Sequence, residues 1–248
     1  FQSGEVDFVL NPLGLKRNAL EALIAQGDVE VITNQSNGFR YLAFNTRAGK
    51  FPTDNQAFRQ AVACIVDKDY IIESILAGAV INMDGVMPPA LTSWVSPVQG
   101  VLAECNGMNF EERWNKSISI LQDAGWQADD WGSHPGGAER AIAPTNLRGP
   151  NGEAMPSDML LYAPSAGYDP IRSTFSLFIA DWMQQLGIDA VARPTGFGII
   201  VDLILDPETC DDWYMYMLGW GLTPYPDHVV SFFETDADAC AGGLNTPG

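Results

Sequence analysis

The fold of this chain is decided by residues 41–70, which read YLAFNTRAGKFPTDNQAFRQAVACIVDKDY. The apolar run from Tyr41 to Asn45 is typical of a strand. The polar turn that follows ends in Asp54, which we expect to cap the next helix. Apolar residues then recur at helical spacing from Asn55 to Leu76. This spacing predicts a long amphipathic helix that is interrupted near Asp67, where a second helix is capped.

The same two patterns alternate along the rest of the chain. Short apolar runs predict strands over 29–32, 159–162, 188–191 and 213–218, and helical spacing predicts helices over 17–26, 114–124, 173–186 and 199–205. Gly78, Gly125 and Gly187 follow helical stretches and are expected to stop them. Alternating strands and helices favour an α/β fold over a β-sandwich or a helix bundle.

The charge of the chain excludes two classes of partner. Its 31 acidic and 13 basic residues give a formal net charge of −18, so the chain repels nucleic acid and anionic lipid surfaces. This acidity fits a protein that works outside the cytoplasm, although solubility alone also accounts for it. No window reaches the roughly 18 consecutive apolar residues of a membrane span, so we predict no direct membrane insertion of this segment.

The four cysteines do not form a metal-binding pattern, because no C-x-x-C spacing or neighbouring histidine accompanies them. Cys64 lies in the 55–76 helix, where we expect it to be a buried small apolar residue. Cys105, Cys210 and Cys240 lie in polar surroundings. One disulfide among these three is expected if the protein is exported, and the pair stays open. We predict no metal site.

Residues that would support catalysis are scarce. The chain has two histidines, and we expect His134 to serve in an exposed loop. The acidic pairs at 129–130 and 211–212 are available as acid and base, but adjacent carboxylates in polar loops are usually solvated surface charge. Nucleophile-elbow, zinc-protease and phosphate-loop motifs are absent from the sequence. The sequence therefore predicts neither an enzyme nor a bound cofactor.

Several segments, in the right order, resemble the family 5 extracellular solute-binding proteins, which include peptide-, nickel- and oligosaccharide-binding subunits of ABC importers. The most specific segment is residues 41–68, with its strand, its Phe-Pro-Thr-Asp turn at 51–54 and its Arg-Gln-Ala helix at 59–61. The other matching segments are Ser3 to Asp7, Ser117 to Trp126, Trp182 to Val191 and Trp213 to Trp220. Together they span nearly the whole chain.

The resemblance implies a fold like that of type II periplasmic binding proteins, in which two lobes enclose a ligand. Residues 1–40 resemble the end of the first lobe and the approach to the hinge, and residues 41–248 resemble a second lobe truncated at its C-terminal end. Phe44 and Asn45 are then hinge residues. The chain begins at Phe1 without an initiator Met or a signal peptide, so we expect a piece of a longer protein.

The function implied by the resemblance is capture of a peptide-like, polar or amphipathic solute for an ABC import system. The implied partners are that ligand and the membrane permease of the importer. The implied location is periplasmic or extracellular, with membrane association through the transporter or a lipid anchor. Two alternatives stay open. One is a regulatory or sensor protein that uses the same lobe, and the other is a hydrolase that uses Asp211 and Asp212.

The resemblance places the ligand beside the loop that follows the last predicted strand. The expected ligand-binding residues are Trp220, Gly221, Leu222, Thr223, Tyr225 and Asp227. A strand end followed by Gly221 and two prolines favours a rigid loop, and Trp220 and Tyr225 suit a binding wall. The alternative is that Trp220 packs into the core at a strand end.

One position departs from the family pattern. Peptide-binding members commonly carry an Asp shortly after the Gly-Trp pair, where it binds the amino terminus of a peptide. This chain has Thr223 near that position, and its Asp227 comes later. A lost charge-assisted hydrogen bond costs roughly 1.5–3 kcal/mol. Free peptides are therefore less favoured as cargo, and a sugar, a small amphipathic solute or a modified peptide stays open.

Overall fold

The computed structural model describes residues 37–76, 78, 80–97, 100–137 and 139–248, together with residues 5, 7, 8, 22, 24–27, 30 and 32. The strands β1 to β4 are Phe39–Phe44, Met159–Pro164, Ala190–Thr195 and Met215–Trp220. The helices α1 to α7 are Gln56–Ile65, Lys68–Tyr70, Val101–Cys105, Phe110–Asp123, Pro170–Gln184, Phe197–Leu205 and His228–Phe233. A π-helical turn, Ile71–Ile75, continues α2, and two 3-10 turns, Thr235–Ala237 and Ala239–Ala241, follow α7.

The four strands form one mixed sheet in the order β1-β4-β2-β3. Strands β4, β2 and β3 run parallel, whereas β1 is antiparallel to β4, with Phe39 opposite Trp220. The carboxyl ends of the three parallel strands, Pro164, Thr195 and Trp220, therefore share one edge with the amino end of β1. We call this the carboxyl edge. In open α/β sheets, ligands bind outside the carboxyl ends of the strands.

Both faces of the sheet are buried, so the core has two layers. On one face, Met215 and Met217 of β4 join the larger cluster, which includes residues of α1, α4 and α5. On the other face, Tyr216 and Leu218 join a smaller cluster with Ile200 of α6. A strand that is covered on both sides is apolar at successive positions. This explains the continuous apolar run in β4.

Most of the predicted elements are present with shifted ends. Strand β3 starts two residues later than predicted, and α5 starts three residues earlier, at Pro170. The Asp169 side chain accepts hydrogen bonds from the N–H groups of Ile171 and Arg172, and proline suits the first turn of a helix. The helix predicted over 17–26 and the strand predicted over 29–32 lie mostly outside the described residues.

The caps of the first two helices agree only in part with the prediction. Asn55, and not Asp54, caps α1, because the Asn55 side chain accepts a hydrogen bond from the Phe58 N–H at 3.2 Å. Asp54 instead accepts one from the Gly49 N–H at 3.1 Å, which closes the preceding turn. Asp67 caps α2 as predicted, accepting from the Tyr70 N–H at 2.9 Å.

The cysteines form two disulfides, Cys64–Cys105 and Cys210–Cys240. The prediction that Cys64 is simply a buried apolar residue was wrong, although its side chain is fully buried. Its partner is 41 residues away in sequence and lies on α3, which packs beside α1. Cys210–Cys240 is one of the pairings that the sequence left open.

Candidate functional site

Trp220 ends β4 at the carboxyl edge and is held there from two sides. Its indole N–H donates to the Tyr41 hydroxyl at 3.0 Å. One face of the indole stacks on Phe232 of α7, with 4.6 Å between the ring centroids. The residue is half-buried, so it combines core packing with access to solvent. Because its N–H is already bonded within the protein, Trp220 offers a ligand apolar ring surface and no donor.

The loop from Gly221 to Asp227 continues from Trp220 along the same edge. The Thr223 hydroxyl lies 3.0 Å from Asp227 Oδ1 and 3.2 Å from the Tyr225 carbonyl oxygen, so both oxygens compete for its proton. It also accepts the Tyr225 N–H at 3.3 Å. Thr223 therefore braces the loop from inside. Gly221, Thr223 and Asp227 are exposed, Leu222 is half-buried, and Tyr225 is 70% exposed.

A chain of hydroxyl groups continues from the Trp220 indole to buried residues of the core. The Tyr41 hydroxyl lies 3.2 Å from the Tyr216 hydroxyl, which in turn bonds the Thr246 hydroxyl. Burial raises the pKa of Tyr41 and raises the pKa of Tyr216 well above its ordinary value. Both phenols are therefore protonated at neutral pH, so each has a proton to donate along the chain.

We predict that Tyr41→Phe lowers stability by about 1–2 kcal/mol, because it leaves the indole N–H of Trp220 and the Tyr216 hydroxyl without this partner. Solute affinity should also fall several-fold, since Trp220 loses one of its two supports. Urea unfolding and calorimetric titration measure the two effects. Tyr162→Phe in β2 is the matched control, because its hydroxyl has no hydrogen bond within the described residues. Equal behaviour of the two variants would contradict the support role.

Sequence reasoning missed a charged cluster that follows β2 at the same edge. Asp169 is almost fully buried and accepts a hydrogen bond from Arg172 Nε at 2.7 Å. Arg40 Nη2 of β1 lies 3.7 Å from the same carboxylate. Arg172 Nη1 is buried without a hydrogen-bond partner in the described part of the chain. The sequence signal for this cluster was the Tyr-Asp-Pro segment at 168–170, four residues after the end of β2.

Aromatic rings extend the cluster toward α6. Tyr168 stacks on Phe197 with 4.9 Å between the ring centroids, and the Arg172 guanidinium lies 6.0 Å from the Tyr168 ring. Tyr168 is 51% exposed. The edge therefore holds two arginines around one carboxylate, next to exposed aromatic surface. In a chain with a net charge of −18, this local excess of positive charge favours an anionic or strongly polar group.

The electrostatics of Asp169 predict an effect at acid pH. Burial alone would raise the pKa of Asp169, but bonds from the Arg172 N–H and guanidinium, with the charge of Arg40, bring it below its ordinary value. A carboxyl group with a lowered folded pKa stabilises above its unfolded pKa of about 3.9. This stabilisation is lost as the pH falls through the folded pKa.

We predict that Asp169→Asn is about 2 kcal/mol less stable than the parent at pH 7, because Arg172 loses its charge-assisted hydrogen bond although Asn still caps the helix. The difference should shrink as the pH falls below about 4. Urea unfolding at pH 7 and at successive values below 4 measures this difference. Asp212→Asn is the control, because this exposed side chain should change stability by less than about 0.5 kcal/mol. A difference that stays constant with pH would refute the assignment.

The residues predicted as a hinge lie at the other end of β1. Phe44 pairs with Met215, at the start of β4. Asn45 is fully buried, and its amide donates to Asp211 at 2.9 Å and to the Trp213 carbonyl at 3.1 Å. The structure thus brings Trp220–Asp227 together in one loop and holds Phe44 and Asn45 away from it. Their role as a hinge stays a prediction.

The side chains that the sequence offered as acid and base catalysts form hydrogen bonds and packing contacts within the protein. Asp129 accepts from Asn146 and from Arg148, and these bonds, the one from Asn146 foremost, lower its pKa. Asp211 accepts from Asn45. His134 was expected to be exposed but is half-buried, with its ring centroid 5.7 Å from that of Phe110. These contacts are those of structural ion pairs and packing.

Two kinds of feature are absent from the described part of the chain. No helix there is long and apolar enough to cross a membrane. Nor do three or more His, Cys, Asp or Glu side chains come together there in a way that would hold a metal ion. The predictions that the protein needs no metal and no cofactor remain predictions.

Solved structures define the class of fold. The oligopeptide-binding protein AppA of Bacillus subtilis, solved with a nonapeptide, is 17% identical and has a TM-score of 0.66 over 92% of this chain and 43% of AppA. NikA of Brucella suis, solved with Fe(III)-EDTA, is 19% identical with a TM-score of 0.65, over 96% of this chain and 42% of NikA. The chain therefore has the α/β fold of part of a type II periplasmic binding protein.

Sequence comparison gives the family. The model of the bacterial extracellular solute-binding proteins, family 5 (middle), matches residues 1–239, and the chain belongs to this family. Heme-binding protein A of Haemophilus influenzae is 33% identical over 100 residues, which are 40% of this chain and 17% of that protein. The chain spans less than half the length of each of these three proteins.

Proposed function

We propose that the protein captures a solute outside the cytoplasmic membrane for an ABC importer and binds it at the carboxyl edge. The observation that carries this proposal is the double support of Trp220 by Tyr41 and Phe232 beside an exposed loop. A rigid aromatic surface next to a few convergent polar groups is the usual composition of a small-ligand site. The proposed contacts are Trp220, Gly221, Leu222, Thr223, Tyr225 and Asp227.

The lobe assignment is part of the same proposal. Residues 41–248 form a second lobe, and residues 1–40 form the end of a first lobe and the approach to the hinge. Its support is the position of Phe39 opposite Trp220, because the chain then enters β1 beside the ligand loop. Phe44 and Asn45 remain the proposed hinge residues.

The charged cluster narrows the class of solute. Around the Asp169 carboxylate, Arg40 and Arg172 supply two positive charges to one negative charge, so this part of the carboxyl edge favours an anionic group of the solute. Thr223 supplies no carboxylate for a free amino terminus, and the carboxylate that the loop does contain, that of Asp227, lies within hydrogen-bond distance of the Thr223 hydroxyl. A polar or amphipathic solute with an acidic group, such as a peptide with a blocked amino terminus, fits these features best.

The two disulfides support the proposed location. Disulfides persist in the periplasm and outside the cell and are rare in the cytoplasm of mesophiles. The described pairs, Cys64–Cys105 and Cys210–Cys240, fit a periplasmic or extracellular protein. Its partner would be the membrane permease of the importer. The protein would not be an enzyme, and membrane association would come through the transporter.

A thermal-shift screen tests the proposed function. The full-length protein that contains this chain would be screened against peptides, blocked peptides, sugars and metal chelates. A solute at a hundredfold excess over its Kd stabilises the folded state by about 2.7 kcal/mol. We expect acidic or blocked solutes to raise the melting temperature most. If no class of solute raised it, the binding function would be contradicted.

Copurification separates a transport protein from a sensor. Coexpressed with the permease of its importer, the loaded full-length protein should bind detergent-solubilised permease more tightly than the empty protein does. A sensor would instead carry a signalling or DNA-binding segment in the rest of the full-length protein. The presence of such a segment, together with no binding to the permease, would favour the regulatory alternative.

A further inference from the structure

A concave surface lies beside the proposed ligand loop. It is a pocket of about 270 Å³ between residues 90–94 and Pro224 of the loop, with Asn37 at its side. The segment that forms its far wall is attached to α7, because His228 Nε2 lies 3.0 Å from the Val86 carbonyl oxygen. His228 is almost fully buried. The wall of the pocket is therefore attached to α7, the helix that directly follows the ligand loop.

The local turns give this wall a defined shape. The Leu91 N–H donates to the Pro88 carbonyl at 2.9 Å, and the Trp94 N–H donates to the Leu91 carbonyl at 2.8 Å. Leu91 is buried and anchors the turn. Trp94 is 54% exposed although it lines the pocket. An indole left half in solvent beside a pocket is a stacking surface that no described residue covers.

The polar groups of the pocket are neutral. Asn37, Thr92 and Ser93 line it together with Ala90, Leu91, Trp94 and Pro224, and none of these described residues is charged. Within the described part of the chain, no hydrogen bond engages the side chains of Asn37, Thr92 or Ser93. An amide and two hydroxyls both donate and accept hydrogen bonds. The chain as a whole has a net charge of −18, so an uncharged polar surface differs from the acidic average of the protein.

We propose that this pocket is an accessory subsite that binds an uncharged, hydroxyl-bearing ring of the solute, stacked on Trp94. The subsite rests on the proposed function, because Pro224 joins it to the loop of Trp220 to Asp227. The hydroxyls of such a ring would form hydrogen bonds with the side chains of Asn37, Thr92 and Ser93, because both partners can donate and accept hydrogen bonds. Sites that enclose a drug-sized ligand measure roughly 300–1,000 Å³, so this pocket takes one ring and not a whole solute.

Another pocket of the described chain is a weaker candidate. It measures about 420 Å³ and lies beyond the opposite end of β1, lined by Gly49, Phe51, Asp54, Asn55, Pro150, Asn151 and Glu153. Its two carboxylates already accept hydrogen bonds, Asp54 from Gly49 and Glu153 from Asn151. It shares no residue with the ligand loop.

Fluorine NMR of the full-length protein labelled with 5-fluorotryptophan tests the subsite. The chain has seven tryptophans, and Trp94→Phe and Trp220→Phe assign the two signals that matter. The probes are cellobiose for a sugar ring and N-acetyltyrosinamide for a phenolic ring, with cyclohexanol as a ring without the full set of hydroxyls. We expect cellobiose or N-acetyltyrosinamide to shift the Trp94 signal in a saturable way, and whichever does so identifies the source of the ring.

Variants give the expected size of the effect. Trp94→Ala should weaken binding of the shifting probe about tenfold, the fold-change that a stacked ring contact supports, whereas Trp94→Phe should weaken it less. Ile142→Ala, at an exposed residue outside both pockets, should have no effect. If neither probe moved the Trp94 signal, or if Trp94→Ala bound the probe as the parent does, the subsite would be disproved.

The Trp220 and Trp94 signals distinguish failure of the proposed binding function from failure of the proposed subsite. A solute from the thermal-shift screen that moves the Trp220 signal supports the binding function, whatever happens at Trp94. Movement of Trp220 with an unchanged Trp94 signal for every probe and solute overturns the subsite alone. If the Trp220 signal also stays unchanged with every solute, the proposed function is overturned together with the subsite that depends on it.

Discussion

Replacing Trp220 with alanine should weaken binding of the best solute from the thermal-shift screen about a hundredfold. The side chain forms the fixed wall of the proposed site, with one face on Phe232 and its N–H on Tyr41. Removing such a pre-positioned aromatic group from a binding site costs roughly 2–3 kcal/mol. Calorimetric titration of the full-length protein measures this change.

Two further variants separate binding from folding. Trp220→Phe keeps a ring for the stack on Phe232 and loses the hydrogen bond to Tyr41, so its affinity should lie between those of the parent and Trp220→Ala. Trp131→Ala removes another partly buried tryptophan, which packs against the larger core cluster, and should leave the Kd unchanged. If Trp131→Ala weakened binding as much as Trp220→Ala does, the loss would reflect the fold and not the site.

The second large effect concerns stability. Replacing Cys64 and Cys105 together with alanine should lower the free energy of unfolding by about 4 kcal/mol, because the disulfide closes a long loop in the unfolded chain. The two residues are 41 apart in sequence, and both are buried. For a chain of this size, 1 kcal/mol corresponds to roughly 2–4 °C in melting temperature. Urea unfolding and thermal melts of the double variant measure the loss.

The other disulfide provides the comparison. Cys210 and Cys240 are 30 residues apart, so their double replacement should cost nearly as much, since loop entropy varies only slowly with length. Treatment of the parent with a reductant should lower the melting temperature by at least as much as either double variant. An unchanged melting temperature in the Cys64 and Cys105 variant would show that the bond does not contribute to stability.

The local elements of the fold were predictable because they depend on spacing along the chain. The apolar run at 159–162 is part of β2, and the helix predicted to end near Gly125 is α4. The order of strands was not predictable from spacing. Strand β1 pairs with β4, and the hydroxyls of Tyr41 and Tyr216, which meet there, belong to residues 175 apart in sequence.

The candidate site was predictable only where its residues are neighbours in the sequence. The loop after Trp220 is continuous, so a strand end followed by glycine and proline was enough to find it. Arg40 and Arg172 come from β1 and α5 and meet only through the carboxylate of Asp169. The pairing of Cys64 with Cys105 depends in the same way on the packing of α3 beside α1. Such contacts follow from tertiary packing and leave no local pattern.

Hydrogen–deuterium exchange of the full-length protein, with and without the best solute, tests the central claim most directly. A solute held at the carboxyl edge should slow exchange at the amides of residues 219–223, 225 and 227–228, and at Asn37 to Arg40 across the strand pair. Unchanged exchange in these residues, with protection confined to the far end of β1 around residues 49–55, would contradict the account.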